Sequence, residues 1–496
     1  MDSKDHTYAF GRRLFLAGSG ALALMSGSGG GAKAQESGGG KAAPIPGQQL
    51  RQMLAEFVVA FDLKQVPPEV VELARLAFVD TVGVAVAGSH EEVAHIAAEM
   101  VKAEGSAPTC TIIGSSVRAS PQLAALANGV SSHAMDYDFS YISGQTAAPV
   151  IPALLAVAEA TNATPAEFIG AFIVGAEVCA RVGRSAPKLS NGGGWQAAGV
   201  VGGIGAAAAC AKLMKLPVEQ VAHAIGISTS LVAGLPINYG TMTKPLHVGN
   251  GARSGVLAAT LASKGFTSSP AAFEGDNGYY GSFARALKVD YAPFSDLGNR
   301  WDLKESGYSI KYYACGGRGH TAIDAALMLR EKIGARTSEI SNIHCWMSPS
   351  SAKRVNTKYP ADVESAKFSA AFVIGYALVH GNLKIKAFSK EGLNDPRVKT
   401  MAGLVTASAD PQLSDDWGNP TRVKITLKDG TSFQEQRDYP IGSTQVPLSK
   451  AQVEGKFMDC ATMTINEDAA RKLFAIANTI TDRPAFGDFW SLLRKA

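Results

Sequence analysis

Charged side chains are scarce in this sequence of 496 residues. Aspartate, glutamate, lysine and arginine make up 18% of the chain, whereas hydrophobic residues make up 46%. The formal net charge is +4, and the first 34 residues contribute +2 of it. The rest is close to balance and gives no support for a nucleic-acid-binding protein, which concentrates positive charge. This composition suits a large soluble protein with an extensive core and leaves the small-molecule classes open.

Cysteine is also sparse. The six cysteines lie 30 or more residues apart, and no two of them form a C-x-x-C motif. This spacing predicts neither a metal site nor a disulfide framework. We expect most of the cysteines to be small buried hydrophobic residues. Only Cys315 lies in a polar, glycine-rich neighbourhood.

The N-terminus lacks an apolar run long enough to cross a membrane. About 12 apolar or small residues follow Arg12 and Arg13, whereas a spanning helix needs about 20. The paired arginines, this short run and the Ala-Lys-Ala sequence at 32–34 resemble a twin-arginine export signal. We expect residues 1–34 to engage the twin-arginine export machinery and be cleaved, and residues 35–47 to form a flexible leader. The mature protein would then be periplasmic, without stable membrane association.

The length predicts more than one domain. Residues 48–290 hold Ala-rich amphipathic runs of helical period, which predict a large all-helical domain. Between 291 and 445 the pattern changes: ISNIHCWMS predicts a strand, and TRVKITLKDGTSFQEQ predicts a β-hairpin. Residues 446–496 return to helices that rejoin the helical domain. We therefore predict a mainly α protein with a smaller α/β (α+β) lid domain and an active site in the cleft between the two.

Four glycine-rich stretches place polar residues between small-residue helices. They are SHAMDYDFSYISGQTAAP (132–149), GGGWQAAGVVGG (192–203), GTMTKPLHVGNGARSG (240–255) and GYSIKYYACGGRGHTAIDA (307–325). Taken singly, an aspartate before a helix is usually an N-cap and a lone lysine is usually a solvated surface charge. Their recurrence on loops of a rigid scaffold favours a binding or catalytic site.

These residue types suit the chemistry of carboxylic acids. Lysine and arginine pairs can hold a di- or tricarboxylate and stabilise the charge that develops when a proton leaves the carbon next to a carboxylate. A carboxylate or a desolvated lysine can remove that proton. Spacing alone does not decide between catalysis and simple binding.

The same stretches resemble the MmgE/PrpD family, which includes 2-methylcitrate dehydratase, cis-aconitate decarboxylase and iminodisuccinate epimerase. HAMDYDF, MTKPLHVGNGARSGVLAATLASKGFTSSPAAFEGDNG and IKYYACGGRGHTAIDA carry the resemblance, in family order and over nearly the whole mature chain. The resemblance implies a helical domain with an α/β lid, a homodimer, and no metal or organic cofactor. It implies catalytic roles for Asp136, Lys244 and Lys311.

Three positions depart from the family pattern. Gln145 and Gln196 stand where the family commonly has histidines, and Phe372 stands where some members have a tyrosine. Glutamine forms hydrogen bonds but does not titrate. The further residues expected to contact substrate are Ser140, Gln145, Gln196, His247, Arg253, Arg318 and His320. With both histidines replaced, we expect Lys311 or Lys244 to have a lowered pKa and to transfer the proton.

The leading hypothesis is an exported lyase or isomerase that acts on a small anionic carboxylate by proton abstraction. Dehydration, elimination, decarboxylation and epimerisation all stay open. The alternative is a catalytically altered or inactive relative that binds an anionic solute in the periplasm. The replaced histidines favour the alternative, whereas the retained acid and lysines favour the enzyme.

Overall fold

The computed structural model describes residues 49–141, 144–189, 194–355, 358–414 and 418–494. The predicted signal and leader lie outside the described residues. The helices are α1 Leu50–Ala60, α2 Pro68–Gly88, α3 Glu92–Glu104, α4 Pro121–His133, α5 Ala147–Thr161, α6 Pro165–Ser185, α7 Ala197–Val200, α8 Gly202–Leu213, α9 Val218–Ser228, α10 Thr243–Ser263, α11 Tyr279–Phe283, α12 Asp302–Glu305, α13 His320–Ile333, α14 Pro349–Ala352, α15 Val363–Ala366, α16 Ala370–His380, α17 Lys390–Asn394, α18 Pro396–Ala402, α19 Lys450–Ala461, α20 Glu467–Asn478 and α21 Phe489–Leu492. The strands are β1 Cys110–Thr111, β2 Arg118–Ala119, β3 Ser140–Tyr141, β4 Tyr308–Ser309, β5 Ile340–Met347, β6 Val405–Ala409, β7 Thr421–Leu427 and β8 Ser432–Arg437.

The larger hydrophobic core lies among the helices of the first half of the chain. Helices α2, α4, α5, α6, α8 and α10 line it, and α19 and α20 from the C-terminal tail pack on it through Phe457 and Leu473. Sequence signals start these helices: Thr164 and Glu167 form a reciprocal capping box at α6, with Pro165 at its first position. This part is the large helical layer that the sequence predicts.

Small residues let the central helices approach closely. A Cβ on Gly205 of α8 would lie 2.2 Å from the sulfur of Cys179 on α6. A Cβ on Gly129 of α4 would lie 2.7 Å from the Cα of Gly249 on α10. Glycine is therefore required at both crossings. The second crossing matters for the site, because α4 ends just before Asp136 and α10 begins just before Lys244.

The smaller core covers one face of a four-stranded sheet. The strand order is β6-β5-β7-β8, with β5 and β6 parallel and the other pairs antiparallel. Strand β7 buries alternate residues, as in Val423 and Ile425, and packs against α13, whereas α16 packs against β6. The predicted strand and hairpin are both present, so the predicted fold class, a large helical part with a smaller α/β part, is confirmed.

Both cores belong to one compact unit. The short pair β3–β4 links the segment after Asp136 to the segment before Lys311, with Ser140 opposite Ser309. Within the described ranges, every helix is too short or too polar to cross a membrane.

Candidate active site

Asp136 lies at the end of α4 in an uncommon backbone conformation. Its φ is +52°, in the left-handed region that aspartate tolerates better than most residues. Its N–H donates to the carbonyl oxygen of His133 at 3.1 Å, which closes the turn after the helix. This turn directs the chain away from α4 and leaves the Asp136 side chain on the wall of a cavity.

Two lysines from distant segments meet the same oxygen of Asp136. The Nζ atoms of Lys244 and Lys311 each lie 2.8 Å from Asp136 Oδ1. Lys311 also donates to the Asp136 backbone carbonyl at 2.6 Å. The three residues named as catalytic by the resemblance therefore form one cluster, whose side chains are largely shielded from solvent.

The charges in this cluster stabilise one another against burial. Burial disfavours the Asp136 carboxylate, but Lys244 and Lys311 outweigh that effect and hold its pKa well below the usual value. Burial likewise disfavours the Lys311 ammonium, but the carboxylates of Asp136 and Asp138 outweigh it and raise the pKa of Lys311. The expectation that burial makes Lys311 a neutral base is therefore wrong. Lys311 is therefore protonated in the free protein.

The tyrosine between the two acids connects the segments that carry the site. The Tyr137 hydroxyl donates to the carbonyl oxygen of Tyr312 at 2.9 Å, next to Lys311. Lys456 donates to the Tyr137 carbonyl at 2.9 Å, and its Nζ lies 3.9 Å from the centre of the Tyr137 ring. Lys456 is paired in turn with Asp80 at 2.5 Å. The aromatic residue of the Asp-Tyr-Asp sequence is thus a structural bridge.

A second row of polar side chains starts at Asp138. Its Oδ1 lies 2.9 Å from Nδ1 of His133, and Nε2 of His133 lies 3.3 Å from the Gln196 amide nitrogen. The Gln196 amide oxygen lies 2.5 Å from Nδ1 of His247. Asp138, His133 and Gln196 are buried, and Gln196 lines the cavity.

The cavity has a volume of about 1080 Å³ and is lined by residues of the helical part and of the α/β part. Among the described residues, its charged lining consists of the cationic Lys244, Lys311, Arg318, Arg354 and Lys367 and the acidic Asp136, Asp362 and Glu364. Positive charge is in excess, and Lys244 and Lys311 already neutralise Asp136. Such a cavity fits a small molecule that carries more than one carboxylate.

Most residues expected to contact substrate line this cavity. Ser140, Gln145, Arg318 and His320 are among its lining residues, together with Gln196. Arg318 donates to Ser350 Oγ at 2.8 Å, which fixes its position. Burial and Lys311 lower the pKa of His320 to about 3, and its Nε2 donates to the Cys315 carbonyl at 3.3 Å. His320 is therefore a neutral, structurally bound imidazole.

Two predicted contacts are placed elsewhere. His247 lies behind Gln196 and does not line the cavity. Arg253 is exposed on α10 and does not line the cavity either. Arg253 follows Lys244 by nine residues, and at about 100° per residue the two side chains leave the helix on opposite faces. The structure thus gives no support for Arg253 as a carboxylate ligand. Phe372 is buried in the smaller core.

Three side chains at the Asp-Tyr-Asp sequence are of types that bind metal ions. Ligand atoms of His133, Asp136 and Asp138 lie within 4.8 Å of one another. However, Lys244 and Lys311 both contact the Oδ1 atom that Asp136 would offer to a cation. Their positive charges oppose a further cation there, and we assign no metal to the cluster.

Several residues at the site are not predicted from the sequence. His133 and Asp138 belong to the predicted functional stretch 132–149, but the sequence does not show which role either residue has. Lys456 and Asp80 lie far away in sequence from that stretch, and no local pattern marked them. Lysines buried this completely are rare unless paired, and their burial becomes visible only in the fold.

Comparison with known proteins agrees with this geometry. The chain matches the MmgE/PrpD N-terminal domain over residues 52–292 and the MmgE/PrpD C-terminal domain over residues 313–482. The protein therefore belongs to the MmgE/PrpD family, and the resemblance seen in the sequence is confirmed.

Its relatives include cis-aconitate decarboxylases from animals and fungi. The human enzyme is 28% identical over 430 residues, covering 83% of this chain and 88% of its own. The Aspergillus terreus enzyme is 25% identical over 441 residues, covering 82% and 88%. A 2-methylcitrate dehydratase-like protein of Aspergillus oryzae is 24% identical over 184 residues, covering 34% of this chain and 36% of its own.

Proposed function

We propose that this protein is a lyase that acts on a small di- or tricarboxylate, and that its reaction is decarboxylation. The observation that carries the proposal is the Asp136 carboxylate held between Lys244 and Lys311 in a cavity with excess positive charge. The relatives named as cis-aconitate decarboxylases support the same class of reaction.

The protonation states favour donation of a proton over its abstraction. Dehydration and epimerisation both need a base that removes a proton from carbon. The lowered pKa of Asp136 makes it a weak base, and the raised pKa of Lys311 keeps that lysine protonated. Loss of carbon dioxide needs no such base. It requires cations that stabilise the developing negative charge and an acid that protonates carbon.

The proposed reaction proceeds in two steps on the bound anion. The bond between carbon and the departing carboxylate breaks, carbon dioxide leaves, and the electron pair delocalises into the remaining conjugated carboxylate. The lysines stabilise this charge, and Arg318, which lines the same cavity, contributes to it. The Lys311 ammonium then transfers a proton to carbon and is reprotonated from solvent.

The two glutamines favour a second candidate function. Gln145 and Gln196 cannot exchange protons, so the cavity contains fewer proton carriers than the family pattern predicts. A protein that binds an anionic solute without reaction would retain the cationic cavity and lose these groups. Turnover measurements separate the two candidates.

The test is NMR of the protein with cis-aconitate, citrate and 2-methylcitrate in D₂O. Decarboxylation predicts carbon dioxide release with one deuterium incorporated at carbon, and Lys311→Met should reduce the rate by orders of magnitude. Lys264→Met is the matched control, because it makes the same change at an exposed lysine that directly follows α10. Deuterium exchange without carbon dioxide release would refute decarboxylation, and tight binding without reaction would support the solute-binding candidate.

We also propose that the protein is exported through the twin-arginine pathway and functions as a homodimer. The export proposal is supported by the Arg12-Arg13 segment. The dimer proposal is supported by the family resemblance and by segment 235–246, which exposes five large apolar side chains next to the cavity. Light scattering coupled to size exclusion would measure the oligomeric state.

A further inference from the structure

Gln196 is held between two histidines that come from different helices. His133 ends α4, Gln196 precedes α7, and His247 lies in the second turn of α10. The contacts are 3.3 Å from the Gln196 amide nitrogen to His133 Nε2 and 2.5 Å from the amide oxygen to His247 Nδ1. Each histidine therefore contacts a different end of one amide group.

The surroundings hold this arrangement in place. The Gln196 backbone N–H donates to the Gly234 carbonyl at 3.0 Å. Gly234 has φ +149°, and a Cβ there would lie 3.1 Å from the His247 ring. The ring of His247 is thus packed against a backbone that only glycine accommodates. On the other side, the Asp138 carboxylate fixes His133 through its Nδ1 at 2.9 Å.

Hydrogen-bond polarity assigns the protons along this row. A carboxylate only accepts, so the Asp138 contact places a proton on Nδ1 of His133. The Gln196 amide nitrogen only donates, so Nε2 of His133 must be an acceptor. The amide oxygen only accepts, so Nδ1 of His247 carries a proton. His133 is then a neutral ring that is protonated on Nδ1. His247 carries a proton on the same nitrogen, and burial lowers its pKa, which favours the neutral form of that tautomer.

We infer that His133 and His247 are positioning residues that orient the Gln196 amide, so that its second N–H is offered to a substrate carboxylate. One amide hydrogen is used on His133, and Gln196 lines the cavity that contains Asp136, Lys244 and Lys311. A histidine at position 196 would exchange protons with the substrate. The glutamine instead provides a fixed neutral donor. This inference rests on the proposed carboxylate substrate for its binding step, but the assigned tautomers do not depend on any substrate.

The reverse orientation of the amide makes a different prediction. With oxygen facing His133, that ring would need protons on both nitrogens, and His247 Nδ1 would lose its proton. Orientation of the Gln196 side chain and protonation of His133 are therefore coupled. The nitrogen signals of the two imidazoles report which arrangement exists.

The first test is NMR of the full chain labelled with ¹⁵N-histidine at pH 7.5, with His133→Asn and His247→Gln used to assign the signals. The expected result is a protonated Nδ1 and an unprotonated Nε2 in both His133 and His247. Gln196→Glu supplies two acceptor oxygens, so His133 Nε2 should become protonated. Gln196→Met, of similar volume, should remove both contacts. A doubly protonated His133 in the parent protein would overturn the inference.

The second test measures binding of citrate by calorimetry and, where turnover exists, KM and kcat for cis-aconitate. A hydrogen bond to a charged group is worth about tenfold or more in affinity. Gln196→Met and His247→Phe should therefore each weaken citrate binding about tenfold or more and raise KM more than they lower kcat. His247→Gln keeps a donor and should restore part of the loss. Unchanged binding in Gln196→Met would refute the donor role, whereas correct tautomers and tight citrate binding without turnover would refute only the proposed reaction.

Discussion

Replacing Asp136 by asparagine should leave two lysines facing each other without their shared counter-ion. The Nζ atoms of Lys244 and Lys311 each lie 2.8 Å from the same Asp136 oxygen, so they are at most 5.6 Å apart. Asparagine preserves the shape and an oxygen acceptor but removes the negative charge. The variant therefore isolates the electrostatic role of Asp136 from its packing.

The repulsion can be estimated from this distance. Two unit charges 5.6 Å apart repel by about 3 kcal/mol at an effective dielectric constant of about 20. This repulsion lowers the pKa of one lysine below its unfolded value of about 10.4. That lysine then binds fewer protons when folded than when unfolded, so the variant gains stability as pH rises from about 7 to 10. The gain should approach 3 kcal/mol, or roughly 3 °C in the melting temperature of a chain of this length.

The parent cluster should show no such slope. The lowered pKa of Asp136 gives a contribution that is present above about pH 3.9 and lost as pH falls through the folded pKa. The raised pKa of Lys311 gives a contribution that is present below about pH 10.4 and lost above it. Between about pH 5 and 10, both groups keep nearly the same protonation in the folded and the unfolded state, so neither makes the free energy of unfolding depend on pH.

Differential scanning fluorimetry at pH 7.0 and 9.5 measures the difference between the variants. Asp362→Asn is the control, because Asp362 lines the same cavity but is exposed and caps α15, a role asparagine can also fill. Asp136→Asn should gain melting temperature relative to this control at the higher pH. If both variants and the parent protein shift in parallel, the two lysines are not coupled through Asp136.

Lys456→Met should lower the free energy of unfolding, measured in urea, by about 3–5 kcal/mol, because it leaves the buried Asp80 carboxylate without a counter-ion. Adding Asp80→Asn should recover most of the loss. If stability is not recovered, the two residues do not act as an ion pair. All six cysteines are buried, and burial raises the pKa of Cys110 to about 11. Ellman's reagent at pH 8 should therefore detect no thiol before the protein is denatured. Rapid reaction of the folded protein with the reagent would contradict this prediction. Arg253→Ala should leave KM unchanged within about twofold, because Arg253 lies on the face of α10 opposite Lys244. A large rise in KM would show that Arg253 contacts the substrate. Replacing both arginines of the twin-arginine segment by lysine should retain precursor in the cytoplasm, as immunoblots of fractions would show, and undiminished export would refute that assignment.

The local chemistry of the chain predicted much of the fold. Ala- and Gly-rich runs of helical period predicted closely packed helices, and Gly129 and Gly205 lie at such crossings. The alternation around 421–437 predicted the hairpin of β7 and β8. The same local reading predicted that Asp136, Lys244 and Lys311 belong to functional stretches. These successes share one cause: side-chain periodicity and turn chemistry act over a few residues and are visible in the sequence.

The placement of Arg253 away from the cavity follows from helical geometry. Arg253 and Lys244 are nine residues apart in one predicted helix, and helical geometry places such residues on opposite faces. His247, three residues after Lys244, shares its face, and it indeed lies beside Gln196. Helical phase, applied to the predicted contacts, would have separated these two residues.

Which groups of the site are charged was decided only by the tertiary structure. Burial alone lowers the pKa of Lys311, as the sequence led us to expect, but a carboxylate from a segment 175 residues away reverses this effect. The pairing of Asp80 with Lys456, and the orientation of Gln196 between His133 and His247, likewise depend on residues brought together by helix crossings. The sign of a charge interaction in a buried site is set by distances of a few ångströms between segments far apart in the chain. The sequence specified which groups were available, and the contacts between segments far apart in the chain decided which of them are charged.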